Sequence, residues 1–270
     1  MRFLLLTSFL VSSFGFRVPQ QAVIPAGSFQ MGCSVKDTLC DKDEGPQGGV
    51  EVFVEAFSID IHETSVSEYR SCVEAGACEK PFDYRRTHYC NYDAPGRDNY
   101  PQNCVNWENA KAYCTWRGGR LAYEAEWEKA ARGKTNTPYF WGYEPASCKV
   151  AVMDPGADGE PDTSTDGCYR DLSWPRGSFP PNPYGLYDMI GGTSEWVENW
   201  YSTDAYQALY ADGKLTEPTA GVHKVIKGGS WDEKHWAHRV SNRFSKPVTG
   251  NRDLYGSNGI RCVMPISSDN

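Results

Sequence analysis

The sequence predicts an α+β domain with little regular secondary structure, and three observations support this prediction. Helix signals come early in the chain and short strand-like segments come late, which is typical of α+β proteins. Between them, residues 137–183 are rich in Pro, Gly, Asp and Ser and show no hydrophobic periodicity. Ten cysteines are spread along 270 residues, as in folds that are held by disulfide bonds.

Two strand regions are predicted at the start. Residues Val23–Met31 alternate between apolar and polar side chains, and an interruption at residues 25–27 predicts a hairpin-like start. Residues Val50–Asp60 alternate with period two. The alternation places Val50, Val52 and Val54 on one face and Glu51, Phe53 and Glu55 on the other. Late in the chain, residues 224–227 and 259–263 read as short strands.

Three helices follow from capping signals and apolar spacing. The first, Ser65–Glu74, begins with an S-x-x-E capping box. The second, Trp107–Trp116, follows Asn106, a favourable N-cap residue. The third, Glu124–Arg132, is rich in strong helix formers and ends at Gly133.

Charge and motifs exclude several classes of protein. The formal net charge is −8, which disfavours nucleic-acid binding because that requires a basic surface. No apolar run approaches the roughly 20 residues of a membrane-spanning helix. The chain also lacks H-E-x-x-H, G-x-S-x-G, P-loop and strand-linked G-x-G-x-x-G motifs. A single acidic domain without a long linker or internal repeat remains.

The N-terminus has the pattern of a secretory signal peptide. A single Arg2 precedes the apolar run Phe3–Val11, and small residues follow it. We predict a signal peptide over residues 1–15, with a cut after Gly15, and a mature domain over residues 16–270. The alternative is that this run forms a buried first strand. Export would place the domain in a secreted, periplasmic or lumenal compartment.

The cysteines predict a disulfide framework, because their number is even and several lie close together in loop-like stretches. No paired Cys or Cys/His spacing supports a zinc site. The spacing suggests four local pairs and one long closure, although connectivity cannot be fixed from sequence alone. The proposed pairs are Cys33–Cys40, Cys72–Cys78, Cys90–Cys104, Cys148–Cys168 and Cys114–Cys262.

The densest polar cluster spans Asp232–Arg239 and contains two of the five histidines. One interpretation is a solvated loop between strands. The other is a metal or redox site that uses Glu233, His235 and His238, whose donor atoms could hold iron or copper. The sequence leaves both interpretations open.

Four stretches of the chain together resemble the formylglycine-generating enzyme, or sulfatase-modifying factor, family. The match runs in the family's order from about residue 22 to 264. It implies a single domain of low regular content, related to the C-type lectin fold, and a Cys114–Cys262 disulfide typical of the family. The stretches are residues 23–32 (VIPAGSFQMG), 119–142 with GRL, EAEWEKAARG and FWG, 184–197 with YGLYDM and EWV, and finally KGGSW at 227–231 with GIRC at 259–262.

The resemblance also argues against the family's oxidase activity. The enzyme binds copper through two cysteines just after its Gly-Gly-Ser-aromatic motif, whereas residues 231–243 contain none. Glu233 and His235 stand near those positions, but a carboxylate and an imidazole are poor ligands for a soft Cu(I) ion. Copper is therefore not expected. Iron-dependent relatives that make sulfoxides carry an additional helical domain, which this chain has no room for.

A third group of relatives shares the fold but lacks the two copper-binding cysteines, and its members serve as partners or maturation factors. The sequence fits that group best, so we expect a binding or maturation partner for a peptide, protein or glycan, with an aromatic-lined groove. The alternative is an oxidoreductase with the non-thiolate site described above. No nucleic-acid partner and no membrane span are expected.

The resemblance implies structural calcium as the cofactor. One family site maps onto Ile190, Gly191, Thr193 and Glu195, where Gly192 replaces the usual Asn. Half of another maps onto Asp166 and the carbonyl of Cys168. Oxygen donors on irregular backbone suit a hard cation. The alternative is that these carboxylates only cap turns.

Several large side chains are predicted to be structural. Aromatic residues are expected in the core or as loop anchors rather than as a sugar platform, and the late arginines are expected to bind carbonyls or carboxylates inside the fold. These residues are Trp127, Trp141, Trp196 and Trp231, and Arg239, Arg243 and Arg261.

Overall fold

A computed structural model describes residues 19–81, 88–156, 165–208, 210, 213, 215, 219–248 and 256–266. The predicted signal peptide and its cleavage site lie outside these ranges. Short strands, three longer helices, short helical turns and long loops make up the described chain, as the predicted α+β class requires. The short helical turns are Lys42–Glu44, Asp166–Tyr169, Ala205–Ala208 and His235–His238. The strands and the longer helices are β1 (Gln21–Ile24), β2 (Gly27–Met31), β3 (Val50–Val54), β4 (Phe57–Asp60), α1 (Val66–Glu74), α2 (Trp107–Trp116), β5 (Arg120–Leu121), α3 (Glu124–Arg132), β6 (Ser194–Trp200), β7 (His223–Lys227), β8 (Phe244–Pro247), β9 (Asn258–Gly259) and β10 (Cys262–Met264).

The described strands form three sheets. Their orders are β1-β4-β10-β5, β2-β3 and β8-β7-β6-β9, and only the β6–β9 pair is parallel. The C-terminal strand β10 lies between β4 and β5, so the end of the chain closes the first sheet. None of the described helices is long and apolar enough to cross a lipid bilayer.

The predicted N-terminal hairpin is wrong. β1 pairs with β4, with Ile24 opposite Phe57, and β2 pairs with β3, with Gly27 opposite Val54. The register is continuous, so the first strand region pairs along its whole length with the second one. Both bend together, and Pro25, which has no N–H to donate, lies at the bend. The interruption at residues 25–27 is therefore a bend between two sheets rather than a turn that folds the segment on itself.

The helix predictions are confirmed together with their caps. In α1, the Ser65 hydroxyl accepts a hydrogen bond from the Glu68 N–H at 3.2 Å, and the Glu68 carboxylate accepts one from the Ser65 N–H at 2.7 Å. In α2, the Asn106 side chain accepts a hydrogen bond from the Asn109 N–H at 2.8 Å. Helix α3 ends at Gly133, whose left-handed φ of 61° favours glycine.

Helix α3 lies at the centre of the molecule. All nine of its residues are buried, including Glu124, Glu128, Lys129 and Arg132. Trp127 packs in the main hydrophobic core, and a second cluster is centred on α1 and α2. A central helix with this many charges requires partners inside the fold, because an unpaired buried charge is costly.

The five disulfides are those proposed from the sequence. All ten cysteines are paired, so no free thiol is present. The Cys114–Cys262 bond joins α2 to β10 and closes a separation of 148 residues. The other pairs are Cys33–Cys40, Cys72–Cys78, Cys90–Cys104 and Cys148–Cys168.

Candidate functional site

The segment 231–243 follows the Gly-Gly-Ser-Trp sequence and is fixed by Arg239. The buried Arg239 guanidinium donates two hydrogen bonds to the Glu44 carboxylate, at 2.5 and 2.6 Å, and a third to the Trp236 carbonyl at 2.9 Å. Ser241 also donates to Glu44, at 2.7 Å. This network connects the segment to a loop that lies 195 residues earlier in the chain.

The end of the same segment is bound to the central helix. Arg243 donates to Glu124 at 2.6 Å, and Lys227 donates to Glu128 at 3.2 Å. Burial by itself would raise the pKa of Glu124, but the charges of Arg243 and Lys227 lower it. Helix α3 therefore receives counter-charges from the segment and from β7, in addition to the pair that Arg132 makes with Glu128 inside the helix.

Arg261 forms the third internal network. Its guanidinium binds the Glu195 carboxylate at 2.8 Å and donates to the carbonyls of Asp60, Ile61 and Tyr187. The sequence prediction that the late arginines act inside the fold is confirmed. Residues 259–263 do not form one continuous strand. β9 ends at Gly259 and β10 begins at Cys262, and the buried Arg261 lies between them.

The structure does not bring the three proposed redox ligands into one site. Glu233 accepts a hydrogen bond from the Ser230 N–H at 3.0 Å, and the His235 carbonyl accepts one from Tyr139 at 2.9 Å. The buried His238 ring donates from Nδ1 to the Lys234 carbonyl at 2.8 Å. Burial lowers the pKa of His238 to about 4, so its ring is neutral at neutral pH.

Only one trio of potential metal-ligating atoms comes within 4.8 Å in the described part of the chain, and it consists of Asp37, Cys40 and Glu44. Cys40 is in a disulfide, and both carboxylates bind Arg239. This trio is structural, and the described residues give Glu233, His235 and His238 no common metal centre.

The predicted calcium ligand Glu195 lies among further buried carboxylates. Its side chain accepts a hydrogen bond from Trp127 at 2.6 Å in addition to the bonds from Arg261. Thr193 donates its N–H to the buried Glu63 at 2.9 Å. Burial raises the pKa of Glu63 well above its usual value, and the charges of Asp188 and Glu195 raise it further.

Arg261 contacts Glu195 directly, and its charge opposes the rise in the pKa values of Glu63 and Asp188. Oxygen donors of this kind suit a hard cation, but among the described residues Glu63, Asp188 and Glu195 do not bring three ligand atoms within 4.8 Å of one another. Glu63 and Asp188 were not among the residues predicted from the sequence; Glu63 is distant from Glu195 in the chain, and Asp188 lies close to it in the chain but was not singled out.

The second predicted group, Asp166 and Cys168, occupies a tight turn with left-handed backbone at residues 167 and 168. Burial raises the pKa of Asp166 to about 7, and the neighbouring charges of Asp154, Asp232 and Asp171 contribute. The Lys234 ammonium lies among them, 3.1 Å from Asp154. A cation supplied by the chain is thus already present here, as Arg261 is beside Glu195.

An open cavity of about 700 Å³ lies between β3 and the start of α3. Phe53, Tyr123 and Leu215 expose apolar surface there, and Glu55 and Glu126 supply carboxylates. The sequence predicted an aromatic-lined groove but did not locate it. The four tryptophans considered above do not line this cavity, since Trp127, Trp196 and Trp231 are buried and Trp141 stacks on Tyr139.

A family model described as "Sulfatase-modifying factor enzyme 1-like domain" matches residues 10–266. The chain belongs to this family. The formylglycine-generating enzyme of Bos taurus is 29% identical over 284 residues, covering 89% of this chain and 73% of that protein. The inactive C-alpha-formylglycine-generating enzyme 2 of Bos taurus is 30% identical over 285 residues, covering 89% and 86%.

This chain is also similar to a solved structure and to relatives that are longer than it. The structure of PvdO from Pseudomonas aeruginosa matches with a TM-score of 0.74 and 26% identity, over 92% of this chain and 95% of that one. A serine/threonine-protein kinase pkn1 from Chlamydia caviae is 32% identical over 219 residues, which is 74% of this chain. The chain spans only 32% of that protein's length and 45% of the length of the formylglycine-generating enzyme of Mus musculus.

Proposed function

We propose that this family member has no formylglycine-generating activity and acts as a binding or maturation partner for a peptide or glycan. The observation that carries the proposal is the state of the cysteines. All ten are in disulfides, and the segment 231–243, in which the resemblance would place two copper-binding thiolates, has none. Without a thiolate pair the chain has no soft-donor site for Cu(I). The similarity to a relative named as inactive supports the same conclusion.

The open cavity supports the binding role. Exposed aromatic side chains beside hydrogen-bonding groups are common features of surfaces that recognise peptides or sugars. Five disulfides also agree with export, because such bonds persist in oxidising compartments. The oxidoreductase alternative has no comparable support, since the described residues do not bring Glu233, His235 and His238 together.

Calcium remains a proposed structural cofactor at Glu195. The residues that would hold it are Glu195 and the backbone of Ile190, Gly191 and Thr193, with Glu63 close by. When bound, the ion would supply positive charge to a buried, carboxylate-rich region. We propose no role for it in a reaction.

Oxygen uptake with a cysteine-containing sulfatase peptide tests the proposed function. We expect no uptake with or without supplied Cu(I), with the bovine formylglycine-generating enzyme as the positive control. Metal analysis of the purified protein should find calcium and neither copper nor iron. A denatured sample should contain no free thiol. Stoichiometric copper or iron together with oxygen uptake would overturn the proposal.

A further inference from the structure

The loop 33–44 is closed on itself by the Cys33–Cys40 disulfide, which joins residues seven positions apart. The beginning of this loop is fixed to helix α3. Cys33 is buried, and the buried Ser34 accepts a hydrogen bond from Arg132 at 3.0 Å. The outer part of the loop is different, since residues 38, 39, 41 and 42 are exposed and Cys40 is partly exposed. A thiolate from solution can therefore approach the Cys40 sulfur more easily than the Cys33 sulfur.

The same loop holds the end of the segment that follows the Gly-Gly-Ser-Trp sequence. Arg239 of that segment binds Asp37 at 3.3 Å and Glu44 at 2.5 Å. Arg243, four positions later, donates to the Asp43 carbonyl at 3.0 Å. The loop therefore supplies both counter-charges and a backbone acceptor to the segment.

The disulfide and these ion pairs form one cluster. One carboxylate oxygen each of Asp37 and Glu44 lies within 4.8 Å of the Cys40 sulfur. Both carboxylates and the Arg239 guanidinium are buried. Asp37 lies between the two cysteines, so the bond fixes both ends of the stretch that carries this carboxylate. An opened stretch has many more conformations than a closed one, and the contact of Asp37 with Arg239 therefore depends on the disulfide.

We propose that the Cys33–Cys40 disulfide is a redox-sensitive latch, which holds residues 236–243 when oxidised and releases them when a dithiol reductant opens it. A thiolate of the reductant attacks the Cys40 sulfur, the S–S bond breaks, and Cys33 leaves as a thiolate that takes up a proton. The second thiolate of the reductant then displaces Cys40, which is protonated in turn. The protein gains two electrons and two thiols, and the reductant becomes a disulfide. The latch is independent of the binding role proposed above.

Stepwise reduction of the native wild-type protein tests whether the latch opens by itself. Dithiothreitol is added at increasing concentrations, free thiols are alkylated, and mass spectrometry identifies the modified cysteines. We expect Cys33 and Cys40 to be alkylated at a concentration at least about tenfold below the one that opens the long disulfide, Cys114–Cys262. Both cysteines of the long disulfide are completely buried, so a thiolate cannot reach them in the folded protein.

Amide hydrogen exchange tests whether the segment is released. In the oxidised protein the Val240 N–H donates to the Pro138 carbonyl at 2.8 Å, so this amide is protected. The variant Cys33→Ser/Cys40→Ser cannot close the latch. Exchange in residues 236–243 should then be at least about tenfold faster than in the oxidised wild type, because local opening becomes easier. Wild type that has been opened with dithiothreitol and alkylated should show the same change.

Cys72→Ser/Cys78→Ser is the matched control. Its disulfide joins residues six positions apart, nearly the same span as in the latch. Among the described residues, no hydrogen bond or ion pair joins residues 72–78 to the segment 231–243. The control should therefore change exchange in residues 236–243 by less than about twofold.

Equal effects of the two double variants on the segment would overturn the inference. Opening of the latch only at reductant concentrations that also open the long disulfide would overturn it too. Thermal melts of Cys33→Ser/Cys40→Ser show whether the variant remains folded. If its cooperative transition is lost, the disulfide holds the whole domain rather than one segment, and the latch is refuted as well.

Discussion

Replacement of Arg239 by Met should strongly destabilise the protein. The substitution retains apolar volume but removes the guanidinium that binds Glu44 at 2.5 and 2.6 Å. Glu44 and Arg239 are both almost completely buried. The Glu44 carboxylate would then keep only the Ser241 hydroxyl and backbone contacts as hydrogen-bond donors.

The magnitude follows from the burial of both partners. Removal of one member of a buried ion pair costs about 3–5 kcal/mol, because the remaining charge stays out of water without compensation. A domain of this size loses about 2–4 °C in Tm per kcal/mol. We therefore expect Arg239→Met to lower Tm by about 10 °C. The double variant Arg239→Met/Glu44→Met should recover part of this loss, since the Glu44 charge is then gone, although the buried Asp37 still lacks the guanidinium.

The measurement is thermal unfolding of the oxidised protein, followed by circular dichroism at neutral pH. The exposed Arg70→Met is a suitable control, because its ion pair with Asp98 is on the surface and is worth at most about 1 kcal/mol. A Tm change below about 2 °C for Arg239→Met would refute the reasoning. So would a double variant that is less stable than the single one.

Two further predictions concern the long disulfide and a buried histidine. Cys114→Ser/Cys262→Ser should lower the free energy of unfolding by about 5 kcal/mol in urea titrations, because a loop of this length gains much entropy when opened; a loss below about 1 kcal/mol would contradict it. His238 has a folded pKa of about 4. Its unfolded pKa is about 6.5, so the neutral ring contributes stability above that pH and loses it as pH falls toward 4. Compared with His238→Asn, which keeps a donor to Lys234, the wild type should lose up to about 3 kcal/mol over this range. Raised pKa values at Glu233 and Asp166 act in the opposite direction in both proteins. Parallel pH profiles would refute the role of His238.

Local signals in the sequence were reliable where neighbouring residues supply the energy. The Ser65 and Asn106 caps, the Gly133 stop and the alternation of Val50–Val54 depend on residues a few positions apart, and all appear in the structure. The prediction of an N-terminal hairpin was wrong because a break at Pro25 can mark either a turn or a bend. The pairing partner that distinguishes them lies about 30 residues further along the chain.

The candidate site was less predictable for the same reason. Glu63 accepts a hydrogen bond from Thr193, 130 residues later in the chain, and the charges of Asp188 and Glu195 act on its pKa. The chemistry of the guanidinium predicted that Arg239 binds groups inside the fold, but the sequence did not identify Glu44 as its partner.

The sequence by itself determined the class of fold, the family, the capped helices and the absence of a cysteine pair after the Gly-Gly-Ser-Trp motif. These features depend on short-range spacing or on the presence of particular residue types. Only the tertiary structure decided that Glu233, His235 and His238 share no centre within the described residues and that Arg261 pairs with the buried Glu195. Charge and hydrogen-bonding groups act over a few ångströms in space, and a one-dimensional pattern does not specify which distant residues come that close.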